Sequence, residues 1–391
     1  MAHSISVMRE SKMIPILRHL AFLCLCLLVA VPGAGAQQVA GGSEQSLQSP
    51  ALQRLAALLA DLPAPVVSPQ VAGGVLVVSD LAATRRVLGA EATDRQVAAR
   101  GLDASEIAAA LAAQGGGGSQ GPAAGFAFED VESLVALAAP PVHLAVINLR
   151  PGTGAGVAPA LEAQGYSWAE SHGVRALAVG ADGETTPQAG RFDDPFRGSL
   201  GRSARIVIEG DRLRSASHWQ LAALLAAAPG MPADRSPDLA PLLVALDRAL
   251  ATQATDAAAV LRGVLWTDGA GIGAHAPSAA AMRAALLVDL SDGADLVTAL
   301  ALRPSAPVAD PQALAGTVEA RWREATLRSG RSLEAHLPGP VQVTVQGAPD
   351  APVLTLVLRR PGNPAEDGAF ANPAFELLRR AIDARDLPLF D

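Results

Sequence analysis

Arg205, Arg212 and Arg214 crowd into one short stretch, with Arg197 and Arg202 just upstream. A guanidinium presents a rigid planar fork of donors and keeps its charge at any physiological pH, so such a cluster suits bidentate recognition of a carboxylate or phosphate. These three are the candidate ligand-binding residues, and a small anionic ligand or a protein surface is the matching partner. A structural role competes. Apolar and polar residues alternate from Arg205 to Ala216 around Gly210-Asp211, the signature of a β-hairpin with a two-residue turn. That register sends Ile206, Ile208 and Leu213 to the core and Arg205, Val207, Glu209, Arg212 and Arg214 to the other face. It also sets Glu209 opposite Arg212 as a cross-strand ion pair.

Ser215, Ser217 and His218 lie near Asp193 and Asp194 in the chain, which assembles the residue types of a serine hydrolase. This motivates the alternative reading of an extracytoplasmic hydrolase whose groups meet only in three dimensions. No G-x-S-x-G elbow surrounds either serine, and Ser217 with Gln220 reads as a helix capping box, so no catalytic residue is assigned. Gly152-Thr153-Gly154-Ala155-Gly156, between a strand and a helix, could aim backbone N–H groups at an anion. Its third glycine comes one place early for a dinucleotide fingerprint. The histidines beyond residue 36, His143, His172, His218, His275 and His336, are dispersed without metal-ligand spacing, and Ser291 to Asp295 lacks the alternation of a calcium loop and reads as a hairpin turn. No cofactor or metal is implied. Trp168, Trp219, Trp266 and Trp322 are expected as core anchors.

The rest of the chain narrows the chemistry further. Residues 1–36 carry Arg9, Lys12 and Arg18 ahead of an uncharged apolar run from Leu20 to Val31, too short to span a membrane, and Ala34-Gly35-Ala36 offers small residues for cleavage. The reading is a signal peptide cut after Ala36 and a periplasmic or secreted protein. Both cysteines, Cys24 and Cys26, and the only lysine, Lys12, belong to this leader. The mature chain would therefore have no disulfide, thiol nucleophile, Schiff-base lysine or phosphate-loop lysine. Losing three cations and one anion with the leader moves the net charge from −8 to −10, which opposes binding to nucleic acid or anionic membranes. With 391 residues, 50% hydrophobic but 3% aromatic, the chain has enough small apolar side chains to build at least one sizeable, thinly layered core.

The elements read as α+β, built from two-layer sandwich domains. After a polar tether over 37–48, an N-terminal α/β-type domain covers 49–235. It opens with a helix behind Ser49-Pro50, then a strand over 74–78 and a helix capped by Ser79. Helix 105–114 leads into the loop GGGGS at 115–119, and strand, turn, helix and strand over 142–180 form a βαβ unit. A helical connector follows over 236–278, with helices at 237–251 and 256–266 and a Gly/Ala-rich boundary at 269–278. The remaining 279–391 read as a ββαββα sandwich with an antiparallel sheet: a hairpin through Asp292-Gly293, a helix behind Asp310, a second hairpin, and a last helix behind Asn372. The function that fits is a non-enzymatic binding or interaction module.

Overall fold

The computed structural model describes residues 46–67, 75–102, 107, 110–111, 124–139, 142–190, 194–227, 230–252, 259–267, 282–292, 295–305, 307–347, 350–362, 372–384 and 386–389. The leader, most of the tether, the GGGGS loop, Asp193 and the boundary at 269–278 lie outside them. Residues 46–391 form one compact unit, a mixed α+β fold around a twelve-stranded antiparallel sheet. The strands are β1 Val75–Asp80, β2 Val131–Ala139, β3 Val142–Leu149, β4 Ser167–Ser171, β5 Val174–Val179, β6 Ala204–Glu209, β7 Arg212–Ala216, β8 Ala259–Trp266, β9 Met282–Ser291, β10 Asp295–Pro304, β11 Val341–Gln346 and β12 Val353–Pro361. They lie in the order β11-β12-β10-β9-β8-β1-β2-β3-β7-β6-β5-β4.

The helices are α1 Pro50–Leu59, α2 Leu81–Leu88, α3 Asp94–Gly101, α4 Val157–Ala163, α5 Trp219–Ala226, α6 Ala240–Thr252, α7 Pro311–Glu324, α8 Leu333–His336 and α9 Pro373–Asp383. They cover both faces of the sheet. Leu81, Val97, Leu161, Val318, Trp322, Phe375 and Leu378, from α2, α3, α4, α7 and α9, join Leu134, Ile147, Leu287, Leu300 and Leu356 in one core. On the other face α1 packs on β1, β2 and β8, α6 on β10 and β12, and α5 on β5, β6 and β7. The expected two-layer arrangement gives way to helix, sheet, helix because a sheet built from Ala, Val and Leu is apolar on both sides and must be covered on both. No helix among the described residues is long and apolar enough to cross a membrane.

Two expectations are corrected, and one strand is added. The helix expected over 256–266 is β8, buried along its whole length and paired with both β1 and β9, so strands on either side of residue 259 share one hydrogen-bonded ladder. The βαβ unit is a strand, a helix and an antiparallel hairpin, because His172 and Gly173 both take positive φ (54° and 74°) and turn β4 back onto β5. Val131–Ala139, unassigned from sequence, pairs with β1 and β3. Some caps also shift. Asp80 rather than Ser79 caps α2, its Oδ1 accepting from Ala83 N at 2.9 Å.

Between β8, β9, α3 and α9 lies a polar node in the apolar core. Asp289, with no exposed surface, accepts from Arg100 Nη1 and, at 3.2 Å, from Arg262 Nε on one carboxylate oxygen, and from Asn372 Nδ2 at 2.9 Å on the other. Asn372 also donates to Thr298 and caps α9. Arg262 reaches Leu102 O at 3.1 Å and Glu376 at 2.7 Å, and its guanidinium stacks on Phe375. Removing one partner of such a buried set strands the others without water. Asp289→Ala should therefore lower unfolding free energy by about 3–5 kcal/mol. Arg359→Ala, which unpairs the half-exposed contacts to Asp292 and Asp295, should cost under about 1 kcal/mol. Urea denaturation of both variants checks this; equal losses would contradict the ranking.

Candidate functional site

The arginine hairpin forms with the expected turn and register, and Ile206 and Leu213 are fully buried. Its three arginines share one face of the sheet, but each meets a carboxylate of the same chain. Arg205 is 2% exposed, so it belongs to the interior rather than to a solvated face. It pairs with Asp182 at 2.8 Å, donates to the carbonyls of Val179 and Gly180, and stacks its guanidinium on the Trp219 ring. Arg212 pairs with Asp61 at 3.0 Å and donates to Asn148 Oδ1. Arg214 takes Glu209 at 2.8 Å. The expected Glu209–Arg212 pair is thus corrected: the two stand opposite in register, but the diagonal Arg214 holds the carboxylate while Asp61 draws Arg212 away.

Arg212 belongs to a polar rung that the register draws across five strands: Glu209, Arg212, Asn148, Ser133 and Asp80 stand opposite one another on β6, β7, β3, β2 and β1. Asn148 Nδ2 donates to Ser133 Oγ at 3.0 Å, and Asp80 pairs with Arg54 of α1 at 2.8 Å. With Asp61, Arg54 and Arg214 included, cations and anions balance. Only the hairpin residues of this rung could be found from local sequence; the other members come from strands far away in the chain.

The glycine cradle is real and already holds an anion, the hairpin's own Asp211. Gly152 N and Gly154 N donate to its two carboxylate oxygens at 2.9 and 2.8 Å, and Leu149 N donates to its backbone carbonyl. These backbone donors, Gly154 first, hold the Asp211 carboxyl below its usual range. The approach is close enough that a Cβ on Gly154 would sit 1.9 Å from the Gly210 carbonyl oxygen, so the motif's glycine serves contact with the hairpin.

The serine and histidine groups meet only in part. Ser217 Oγ lies 2.7 Å from His218 Nδ1 and accepts from His143 N at 3.3 Å, yet Ser217 is 1% exposed. It does not cap α5; His218 occupies that position without a side-chain bond, and Asp182 accepts from Trp219 N instead. Asp194 is engaged elsewhere, accepting from Tyr166 Oη at 2.9 Å and from Phe196 N and Arg197 N. Burial and that contact raise the Tyr166 pKa. Ser215 is buried, and its hydroxyl has no hydrogen-bond partner among the described residues. Trp266 and Trp322 are core anchors, but Trp168 on β4 is 41% exposed, with Arg175 stacked on its ring at 4.7 Å.

No protein-family model matches the chain, and no curated protein matches it. Among solved structures, crystal form I of TP0453 aligns at 9% identity and a TM-score of 0.34, covering 83% of this chain and 97% of that one. Crystal form III aligns at 10% identity and 0.35, covering 76% and 93%.

His143 of β3 is buried beside Arg202, His218 and Arg205, and both its ring nitrogens lack a hydrogen-bond partner among the described residues. Burial first, then the neighbouring positive groups, push its pKa down from 6.5 to about 4. The unfolded chain therefore protonates this ring first as pH falls, and the native state loses stability between pH 6.5 and 4, by about 3 kcal/mol at the lower end. His143→Leu should hold stability at pH 7 and make the decline over that window shallower by about this amount, as read by thermal melts across pH. An unchanged decline would contradict the assignment.

Proposed function

We propose that this chain is an exported protein of the periplasm or extracellular space that acts as a binding or interaction module. Its leader-like first 36 residues support the export. The observation that carries the interaction reading is where open surface remains: the three arginines and the glycine cradle are engaged by carboxylates of the same chain, while the sheet ends in strands open on their outer sides among the described residues, one of them presenting Trp168. A small anionic ligand at Arg212, the most exposed of the three arginines, would have to compete with Asp61. The hydrolase alternative rests on the 2.7 Å contact between Ser217 and His218.

Two measurements test this. Intact mass of the protein recovered from outside the cytoplasm should show a chain starting at Gln37, and a fluorophosphonate probe should leave Ser217 unlabelled. Full-length chain held in the cytosol would overturn the export. Labelling of Ser217 that His218→Ala abolishes would overturn the non-catalytic reading in favour of the hydrolase.

A further inference from the structure

β11, Val341–Gln346, closes one end of the sheet and, among the described residues, pairs on one side only, with β12. Its sequence, VQVTVQ, has no charge and no proline, and every residue is half-buried. An edge strand presents a row of free N–H and C=O groups, and natural sheets usually blunt such an edge with lysine, proline, a bulge or a short strand. None of these devices interrupts β11, whose six pairs with β12 run without a register shift. The other end differs: β4, SWAES, has five residues, carries Glu170 and exposes Trp168.

We infer that β11 is a self-association edge, and that a second copy of this chain pairs with it antiparallel across a two-fold axis. This rests on the interaction reading above and names its partner. The pattern of β11 is self-complementary in a way a two-fold axis requires. An axis through Val343 sets Val341 opposite Val345 of the other copy, Gln342 opposite Thr344, and Val343 opposite itself. An axis through Thr344 sets Val343 opposite Val345, Gln342 opposite Gln346, and Thr344 opposite itself. Either register puts valine against valine and neutral polar against neutral polar, so each face of the sheet continues across the seam. Val341, Val343 and Val345 pack against the helix-covered core, and the core would extend into the second copy. No charges meet in β11 itself, whereas the same operation on β4 sets the Glu170 carboxylate against the Trp168 ring when centred at Ala169 and against its own copy when centred at Glu170. Pairing β11 of one copy with β4 of the next would instead build an open-ended filament.

Sedimentation velocity of the exported chain should show monomer and dimer in concentration-dependent exchange, with the dimer populated at about 100 µM, the weak regime expected of a narrow strand-to-strand contact. Gln342→Arg, at a side chain with no hydrogen bond to the rest of the fold among the described residues, sets a cation from each copy at the seam in either register and should abolish the dimer while leaving the melting temperature near that of the parent. Gln346 is left in place because it donates to Ala245 O at 3.0 Å; Ala169→Arg on β4 should leave the dimer intact. As a check independent of the arginine variant's folding, Val343→Cys and Thr344→Cys are made singly in a Cys24→Ser/Cys26→Ser background. The one that lies on the axis should form a disulfide-linked dimer on mild oxidation. A parent chain that stays monomeric at that concentration overturns the inference, as does a dimer or filament lost on Ala169→Arg, or a failure of both cysteine variants to crosslink. A monomer with Ser217 unlabelled would remove this edge and leave the broader interaction reading standing.

Discussion

Asp289 is the charge around which the fold is tied. A carboxylate with no exposed surface holds only when several donors converge on it, and here they come from α3, β8 and the turn into α9, at opposite ends of the described chain. Those donors in turn fix other things. Arg262 spans from the end of α3 at Leu102 to Glu376, and Asn372 sets the start of α9. The node therefore joins early and late helices of this face to the middle of the sheet. The apolar layers around it supply most of the driving force; the node restricts which strands and helices can meet there.

Much of the local architecture is legible in the sequence because caps and turns carry their own chemistry. Ser49 before Pro50, Asp310 before Pro311 and Asn372 before Pro373 mark helix starts where the structure has them, and Gly210-Asp211 marks the hairpin. Buried strands are what local pattern hides. In β8, Val260, Leu261, Val264 and Leu265 recur at helical spacing, while a strand covered on both faces has no polar face to reveal its alternation. Ala-rich segments such as β2 blur the distinction further. His172-Gly173 carries a turn signal inside a stretch that otherwise reads as continuous strand, and this turn alone separates a hairpin from a parallel unit.

The candidate site is legible to the same degree. The arginines, the glycine cradle and the Ser217–His218 neighbours are all visible as residue types, and the cradle's affinity for an anion follows from its backbone. Their partners are not visible. Asp61, Asp182, Asn148 and Trp219 reach these groups only because the sheet and its covering helices place them there. Each apparent binding group has an internal counterpart, which shifts attention from the hairpin to the ends of the sheet.

If one ladder and one buried node tie residues 46–391 together, the chain should unfold as a single cooperative unit. Scanning calorimetry tests this most directly. The account predicts one transition whose calorimetric and van't Hoff enthalpies agree. Two separable transitions, one for the strands before residue 259 and one for those after it, would contradict it.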